Sequence, residues 1–439
     1  MSNLILSRYT IPFEYNGYYL LYNSKSDAFL QVNEDLYNDL LSFAAGTSSE
    51  IFDDEETVAT LLAEGILTSA GADDLFSSKL IFENVISSYS KDSIYITLAP
   101  TISCNLSCPY CYETHKRPGK MSTQTCDKVI SFIKRTCPSK NLHLGWYGGE
   151  PLLASKIINY FLNQLAENDI NLVEHTIVTN GTLLNKENMN VFHKFPLDSI
   201  QVTLDGVKKL HDSIRFHHNG NGTFDEIISN LSEFCTSFPN TKVSIRVNIG
   251  KHNIDDFERV YHYINDKFVN NKNILVYPGI LQGDNDCGFQ FNLLDNKELS
   301  EFYIKLIDHG MLMDKPEVSA KGCTASMLNA FVIGPHGEIY KCWNDIGFED
   351  REIGNVGQGS TINPKFFLGY MIQGTFWNDS KCLECSLLPV CSGGCPHNRL
   401  KNKINSGNVN LCSNLALDNN NVLKKLLYVN YKNRIKENI

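Results

Sequence analysis

Three cysteines lie close together in the segment CNLSCPYC, residues 104–111. Because a structural zinc site closes four ligands around the metal in a tetrahedron, three neighbouring thiols leave such a site one ligand short. A 4Fe-4S cluster can take thiolates on three of its irons and keep the fourth iron open for a ligand that is not protein. The spacing of Cys104, Cys108 and Cys111 therefore favours an iron–sulfur site with one open iron.

Polar turns that contain glycine follow three later strand-like segments. In GGEP, Gly148 and Gly149 allow positive φ and a close approach of backbone, and Glu150 can fix the turn. Asn180 in TNG and Thr203 in TLDG are polar residues at the ends of predicted strands. Each turn is ordinary by itself, since Gly-Gly, Asn-Gly and Asp-Gly are common turn dipeptides. Their order behind the cysteine triplet is what indicates a shared site.

The last third of the chain carries a second group of cysteines. Four of them lie in CLECSLLPVCSGGC, and this block alone would favour zinc, because paired Cys-x2-Cys elements commonly bind that metal. Other cysteines precede and follow the block. In chain order the group consists of Cys323, Cys342, Cys382, Cys385, Cys391, Cys395 and Cys412.

The first triplet, with an aromatic residue before its last cysteine, resembles the signature of the radical S-adenosylmethionine (SAM) enzymes. In that superfamily the amino and carboxylate groups of SAM chelate the open iron of a 4Fe-4S cluster. Reduction of the cluster cleaves SAM to a 5'-deoxyadenosyl radical, which removes a hydrogen atom from the substrate. The resemblance implies that SAM is contacted by Tyr110, Gly148, Gly149, Glu150, Asn180, Thr203 and Arg215. Arg215 is a candidate to pair either with the SAM carboxylate or with the substrate.

The C-terminal cysteines, together with Gly337 before Cys342, resemble the SPASM domain, a C-terminal extension of many radical SAM enzymes that modify peptides. That domain holds two auxiliary 4Fe-4S clusters. The resemblance implies one cluster on Cys382, Cys385, Cys391 and Cys412, and another on Cys323, Cys342 and Cys395. Because the second set lacks one thiolate, we expect an open iron there, with Cys287 as the first candidate for a further ligand. The four cysteines outside both motifs, Cys126, Cys137, Cys235 and Cys287, are expected to pack as small apolar groups.

Strands alternate with helices from about residue 92. Strand-like runs such as SIYITLAP, NLHLGWYG and DSIQVTLDG are separated by helical stretches such as TCDKVISFIKRT. This order predicts an α/β fold with a parallel sheet, open or closed into a barrel, whose ligands bind at the carboxyl ends of the strands. The triplet follows the first strand, and the glycine turns follow the next three. The resemblance implies a partial (β/α)6 radical SAM barrel over residues 92–310.

Two further domains flank this core. In residues 1–85 a predicted hairpin is followed by helices, the first capped by Asn33, which looks like the winged-helix peptide-recognition module of precursor-modifying enzymes. There the leader of a precursor adds as a strand to a sheet edge. The alternative is an extension that only packs on the main body. Residues 320–439 are irregular and are expected to fold around iron–sulfur clusters as the SPASM domain.

Composition excludes several classes of partner. The 39 Lys and Arg residues against 49 Asp and Glu give a formal charge of -10, which argues against nucleic acid bound by phosphate neutralisation. The first residues lack the basic segment followed by an apolar segment that is typical of a secretory signal. No run reaches about 18 apolar residues either, so we expect a cytoplasmic protein without membrane contact. In that compartment 14 cysteines favour metal over disulfides.

The SPASM families divide chiefly into sulfatase-maturating enzymes, which oxidise Cys or Ser to formylglycine, and maturases of ribosomally made peptides. In the sulfatase-maturating family an aspartate base follows the cysteine equivalent to Cys342, whereas Trp343 stands here, although Asp345 lies near. We therefore expect a maturase that forms a thioether or carbon–carbon crosslink in a precursor peptide with a leader. A flavodoxin- or ferredoxin-type donor would supply electrons. The alternatives are a sulfatase-type enzyme and a non-catalytic metal-binding scaffold.

Overall fold

The computed structural model describes residues 4–47, 54–111, 118–281, 293–312, 314, 317–318, 322–357, 363–405, 407 and 409–437. The chain forms two compact units. The first comprises Met1–Tyr89, Asp295–Ser326 and Tyr370–Ile439, and the second comprises Ser90–Leu294 and Met327–Gly369. The predicted domains, 1–85, 92–310 and 320–439, were defined by sequence pattern, whereas the two units are defined by spatial compactness. One compact unit can hold parts of several sequence domains, so these domains stay a prediction.

The strands of the first unit are β1 (Leu4–Leu6), β2 (Thr10–Tyr15), β3 (Tyr18–Asn23), β4 (Ala28–Val32) and β5 (Leu67–Ser69). Those of the second unit are β6 (Ile94–Leu98), β7 (Asn141–Trp146), β8 (Asn171–Thr179), β9 (Ser199–Leu204), β10 (Lys242–Ile249), β11 (Ile274–Ile280), β12 (Ala330–Ile333), β13 (Glu338–Tyr340) and β14 (Gly354–Asn355).

The N-terminal segment of the first unit contains three helices, α1 (Glu34–Ala44), α2 (Glu55–Ala63) and α3 (Ala72–Tyr89). The second unit contains α4 (Thr123–Thr136), α5 (Ser155–Glu167), α6 (Lys186–Lys194), α7 (Lys208–Ile214), α8 (Phe224–Ser237) and α9 (Asp256–Lys267), and later α11 (Pro364–Leu368). The first unit also contains α10 (Asn296–Asp308), α12 (Ser380–Leu383), α13 (Leu388–Cys391), α14 (Pro396–Asn405) and α15 (Leu417–Glu437).

The sheet of the second unit carries strands in the order β11-β10-β9-β8-β7-β6-β12-β13-β14. From β7 to β11 each strand pairs in parallel with the strand that precedes it along the chain, so that β6 to β11 are ordered as in a partial (β/α)6 barrel. This confirms the predicted α/β class. Along β7, Leu142, Leu144 and Trp146 are buried while their neighbours are less so, which is the period of two that a sheet covered on one face produces.

The first unit contains an antiparallel sheet in the order β2-β3-β4 and a β1-β5 ribbon. The turn between β2 and β3 has Asn16 and Gly17 at positive φ, the conformation that two-residue hairpins favour. The predicted hairpin corresponds to β3 and β4, which pair antiparallel. As predicted, Asn33 caps α1, because its side chain accepts the N–H of Leu36.

Both faces of the β2-β3-β4 sheet are covered. On one face Leu21 packs with Leu40 and Leu61 of the first two helices. The other face shares a core with the C-terminal part of the unit, and that core consists of Ile11, Phe13, Leu20, Tyr22, Leu387, Leu423 and Leu427. The N-terminal sheet is therefore integrated into the same unit as the C-terminal cysteine block. Within the described ranges, none of the helices has the length and apolar composition needed to cross a membrane.

Candidate active site at the strand ends

The loop with the first cysteine triplet starts where β6 ends, at the carboxyl edge of the parallel sheet. Cys104, Cys108 and Cys111 are each partly buried. A tight turn joins the last two, since the N–H of Cys111 donates to the carbonyl of Cys108 at 3.1 Å. An isolated bridge from Leu106 to His217 ties the loop to the segment after α7. The structure thus places the triplet where the strand order predicted a ligand.

The sulfur of Cys104 lies among hydrogen-bond donors. The N–H of Leu106 approaches it at 3.5 Å, and the side-chain amide of Asn180 approaches it at 3.7 Å. The same amide donates to Asn105 at 2.9 Å, so the TNG turn after β8 is held against the cysteine loop. Burial raises the pKa of the Cys104 thiol, and Glu150 and Cys108 add to this effect. A bound cation would reverse it, because a coordinating thiol is deprotonated.

The two glycines of the GGEP turn face the segment that leads into the cysteine loop. At Gly148, which has φ +121°, a Cβ atom would come within 2.3 Å of the Thr101 carbonyl oxygen. At Gly149 it would come within 2.2 Å of the Ile102 carbonyl oxygen. The turn and the loop therefore touch backbone to backbone, which only glycine permits here. The predicted contact of this turn with a SAM ammonium remains a prediction.

Glu150 is fully buried and ties the ends of β7 and β8 together. Its carboxylate accepts the N–H of Asn180 at 2.7 Å, the hydroxyl of Thr179 at 2.8 Å and the N–H of Leu152 at 3.0 Å. Burial raises the pKa of this carboxyl, and these hydrogen bonds oppose the rise. The side chain thus holds the turns that surround Cys104, in addition to any role beside a ligand.

Tyr110 is the centre of a polar network at the ends of β9 and β10. Its hydroxyl accepts from the Arg215 guanidinium at 2.6 Å and from the Asn248 amide at 3.1 Å, and it donates to Asp205. The predicted Thr203 is buried near the end of β9, two residues before Asp205. Sequence reasoning missed Asp205 and Asn248, although the position of Asp205 in the LDG turn at a strand end was a signal.

Two buried polar atoms of this network have no partner among the described residues. They are Oδ1 of Asp205 and Nε of Arg215, and the two side chains are 1% and 10% exposed. Burying such atoms unpaired is costly, so a group that supplies both a donor and an acceptor would fit here. Arg215 itself is held in place because its carbonyl accepts the hydroxyl of Thr223 at 2.7 Å.

The C-terminal cysteine block lies in the first unit. Cys382, Cys385 and Cys391 are partly buried, and Cys412 and Cys395 are exposed. The thiol of Cys385 is close enough to Cys391 and Cys412 for their charges to raise its pKa, although burial is the larger cause. These are the residues of the predicted four-cysteine cluster.

The other predicted cluster set is divided along the chain. Cys323 and Cys395 belong to the first unit, Cys342 belongs to the second, and Cys287 lies outside the described residues. Cys126 and Cys137 are buried, as predicted for packing residues, and Cys235 is partly buried. Within the described ranges no three His, Cys, Asp or Glu side chains form a group that could hold a metal ion. The ligand sets for both auxiliary clusters, and that of Cys104, Cys108 and Cys111 for the SAM cluster, therefore stay predictions.

Similar proteins are known among maturating enzymes. The chain is 24% identical over 377 residues to the cysteine-type anaerobic sulfatase-maturating enzyme of Clostridium novyi, with 77% of this chain and 97% of that protein covered. It is 24% identical over 341 residues to the radical SAM cyclopropyl synthase TigE of Paramaledivibacter caminithermalis, with 68% and 67% covered.

Solved structures share the fold. The protein anSMEcpe with bound AdoMet superposes with a TM-score of 0.58 at 16% identity, covering 78% of this chain and 98% of that one. Streptococcus suis SuiB bound to S-adenosylmethionine superposes with a TM-score of 0.51 at 17% identity, covering 89% of this chain and 95% of that one.

The family match falls on the second compact unit. Residues 98–264 match the radical SAM superfamily. This range contains the cysteine triplet, the three glycine turns and Arg215. Residues 98–264 therefore form a radical SAM domain, as the spacing of the first cysteines predicted, and enzymes of this superfamily use a 4Fe-4S cluster and SAM.

Proposed function

We propose that this radical SAM enzyme is a SPASM-type maturase that modifies a ribosomally made precursor peptide. The observation that carries the proposal is the site at the carboxyl ends of the strands. There Cys104, Cys108 and Cys111 lie in one loop, with hydrogen-bond donors at the Cys104 sulfur. Donors to ligand sulfurs are a usual feature of iron–sulfur sites, so the residues present fit an open 4Fe-4S cluster.

The Tyr110 network fits the polar part of SAM. Arg215 can donate through its unpaired Nε to a carboxylate, and Asp205 can accept through its unpaired Oδ1 from an ammonium or a ribose hydroxyl. Asn180 and the GGEP turn border the same loop. When bound, the cluster and SAM supply one-electron chemistry that removes a hydrogen atom from the substrate. The contribution of the chain is to orient these groups and to exclude water.

The surroundings of Cys342 favour a peptide crosslink over formylglycine formation. Asp345 is 1% exposed and pairs with Arg351 at 3.3 Å, so it is poorly placed to take a proton from a substrate. Trp343 is 48% exposed and stacks on Tyr147 with ring centroids 5.7 Å apart. An apolar ring, and not a carboxylate, thus follows Cys342. The expected product is a thioether or a carbon–carbon crosslink at an α or β carbon.

The N-terminal sheet offers an edge for the leader of the precursor. Its edge strands are β2 and β4. Pro12 lies within β2 and has no N–H to donate, whereas the five residues of β4 include no proline. Among the described strands β4 pairs only with β3, and we therefore assign the leader to its outer edge, where it would gain main-chain hydrogen bonds. This role agrees with the predicted winged-helix-like module of residues 1–85.

Two auxiliary 4Fe-4S clusters would complete the enzyme. The four-cysteine set consists of Cys382, Cys385, Cys391 and Cys412, and the other set consists of Cys323, Cys342 and Cys395. One of these clusters would accept the second electron of the oxidation, and a flavodoxin- or ferredoxin-type donor would start the reaction. We place the enzyme in the cytoplasm.

A second candidate function is the oxidation of a protein Cys or Ser to formylglycine. It is favoured by the match to the Clostridium novyi sulfatase-maturating enzyme, which spans 97% of that protein. Mass spectrometry of the substrate distinguishes the two. A serine oxidised to formylglycine loses about 2 Da, a cysteine oxidised to formylglycine also exchanges its sulfur for oxygen, and neither gains a bond to another residue. A crosslinked peptide instead loses about 2 Da and carries a new bond between two residues.

The first test measures iron, sulfide and 5'-deoxyadenosine in anaerobically reconstituted protein. We expect about 12 irons per chain in the wild type and about 8 in the Cys104→Ala/Cys108→Ala/Cys111→Ala variant, because each cluster holds four irons. Formation of 5'-deoxyadenosine under reduction should be lost in the variant. About four irons together with bound zinc in the wild type would contradict the auxiliary clusters and leave a simpler radical enzyme.

A further inference from the structure

A buried arginine contacts the C-terminal cysteine block. Arg399 lies on α14, and its side chain is only 2% exposed. Its backbone N–H donates to the carbonyl of Cys395 at 3.0 Å, one helical turn earlier. Nothing in the proposed mechanism uses this side chain. Because a buried charge is costly unless it is paired, the contacts of this guanidinium indicate what it is there to do.

The guanidinium reaches a predicted cluster ligand directly. Its NH2 nitrogen donates to the sulfur of Cys382 at 3.2 Å and to the carbonyl of Gly393 at 2.7 Å. Its NH1 nitrogen donates to the carboxylate of Asp379. The ion pair keeps the charge on the arginine in place, and the second nitrogen brings that charge to the thiolate.

We infer that Arg399 is a positioning residue that raises the reduction potential of the auxiliary cluster bound through Cys382. The inference rests on the proposed four-cysteine cluster. Adding an electron makes the cluster more negative, and a hydrogen bond from a cation to a ligand sulfur stabilises that reduced state. Arg399 thereby makes this cluster a better acceptor of electrons than the same four thiolates would be alone.

A purely structural role makes a different prediction. The guanidinium also joins Asp379, which precedes Cys382, to Gly393, which precedes Cys395, so it could serve only to fix the block. In that case removing it would change cluster loading or stability but not the potential of the clusters that still assemble. The reduction potential therefore separates the two roles.

The test is an EPR-monitored redox titration of full-length protein. All variants are made in the Cys104→Ala/Cys108→Ala/Cys111→Ala background, so that only the auxiliary clusters remain. Arg399→Gln removes the charge and the fork of donors, and Arg399→Lys keeps the charge. Cys412→Ser identifies which of the redox waves belongs to the four-cysteine cluster, because only that wave should change when one of its ligands changes.

Arg8→Gln is the matched control. Arg8 also contacts the cysteine block, since its NH1 nitrogen donates to the carbonyl of Leu383 at 3.2 Å and its Nε lies 3.8 Å from the Glu384 carboxylate, but its shortest ion pair is with Asp74. The Arg8→Gln variant thus removes an arginine that contacts the same block but keeps the hydrogen bond from Arg399 to the Cys382 sulfur. We expect the potentials of this control to equal those of the background protein.

For Arg399→Gln we expect about 8 irons per chain and a lower potential for the wave that Cys412→Ser identifies. The ratio of reduced to oxidised cluster at a fixed potential should fall by about tenfold, which equals about 59 mV for one electron. Arg399→Lys should give a smaller shift in the same direction. The wave of the other cluster should not move.

Three results would overturn the inference, and they differ in what they say about the proposed function. Unchanged potentials with about 8 irons would leave the clusters in place and reduce Arg399 to a structural residue. Loss of iron in both Arg399 variants, with full loading in Arg8→Gln, would also make its role structural. A background protein without auxiliary iron would remove the cluster itself and with it that part of the proposed function.

Discussion

At the scale of single residues, the site is organised by polar side chains that lie outside the cysteine motif. The hydroxyl of Tyr110 has three partners, Arg215, Asn248 and Asp205, which come from three different positions along the chain. Burial raises the pKa of Tyr110 well above its ordinary value, so the phenol stays neutral and can donate to Asp205. The tyrosine next to the last cysteine thus does more than provide an aromatic ring.

This network predicts that Tyr110→Phe weakens SAM binding without preventing cluster assembly. The change leaves Arg215, Asn248 and Asp205 without their shared partner, so the guanidinium loses its orientation. We expect iron content to stay the same and the dissociation constant of SAM to rise about tenfold, equivalent to about 1.4 kcal/mol. Equilibrium binding of SAM to the reconstituted enzyme measures this.

Tyr160→Phe is the control for that measurement, because this tyrosine also donates to an aspartate, Asp127, at 2.8 Å but lies on the surface of α5. Its affinity for SAM should equal that of the wild type. An unchanged dissociation constant in Tyr110→Phe would mean that the network is only structural.

At the scale of elements, the turn after β7 and the loop after β6 are built as one piece. The N–H of Gly149 donates to the Thr101 carbonyl at 3.2 Å, and the N–H of Glu150 donates to the Ser103 carbonyl at 2.9 Å. The cysteine loop therefore inherits its position from the end of the neighbouring strand. Because adjacent parallel strands end at the same edge, this coupling follows from the topology of the sheet.

The same contact predicts that Gly149→Ala is far more harmful than its size suggests. The new Cβ would lie 2.2 Å from the Ile102 carbonyl oxygen and 2.4 Å from the Ser103 carbonyl oxygen, so backbone must move. We expect a loss of stability of roughly 1–3 kcal/mol and a lower iron content. Urea unfolding and iron analysis of the reconstituted protein measure both quantities.

Gly145→Ala is the matched change, on β7 itself, four residues before Gly149. Its Cβ would meet the Thr176 hydroxyl at 3.2 Å and the Thr97 hydroxyl at 3.8 Å, and side chains can give way. This variant should unfold within about 0.5 kcal/mol of the wild type and bind the same amount of iron. Equal behaviour of the two alanine variants would mean that the contact between turn and loop does not matter.

At the scale of the whole molecule, the N-terminal sheet is part of the support for the C-terminal cysteine block. Cys385 and Cys391 pack against the core that contains Phe13 and Leu20 of the sheet. Tyr9 shares a second core with Leu388 of the block. Two ends of the chain therefore form one folded unit, and residues 1–89 cannot be treated as a removable extension.

We accordingly predict that deletion of residues 1–89 disrupts the four-cysteine cluster. The truncation would expose the apolar side chains of Leu387, Leu388 and Phe376, which are now 1% to 4% exposed. The reconstituted truncated protein should bind about four irons fewer than the full chain and should aggregate more readily. Iron analysis and size-exclusion chromatography measure these effects.

A milder change tests the same coupling within the intact chain. Leu20→Ala removes a fully buried side chain from the shared core and should lower stability by roughly 2–5 kcal/mol. Full iron loading and a monodisperse profile in the truncated protein would contradict the coupling and would support a separately folding module.

The sequence by itself determined the chemistry of the first site. Three cysteines at this spacing predict a loop that holds a cluster, because the predicted ligands come from one short segment, and the period of strands and helices predicts the parallel sheet. Residues 98–264 match the family that this spacing indicated. Local signals of this kind can be recognised without the tertiary structure, since the residues that form each signal lie within a few positions of one another.

Only the tertiary structure decided which distant groups meet. Asn248 joins Tyr110 from 138 positions away, Arg399 reaches Cys382 from 17 positions away, and the N-terminal sheet shares its core with Leu427 near the other end of the chain. No local pattern marks these pairs, because a hydrogen bond or an apolar contact between distant segments depends on how the segments pack. The sequence predicted the ligands, and the packing determines which side chains contact them.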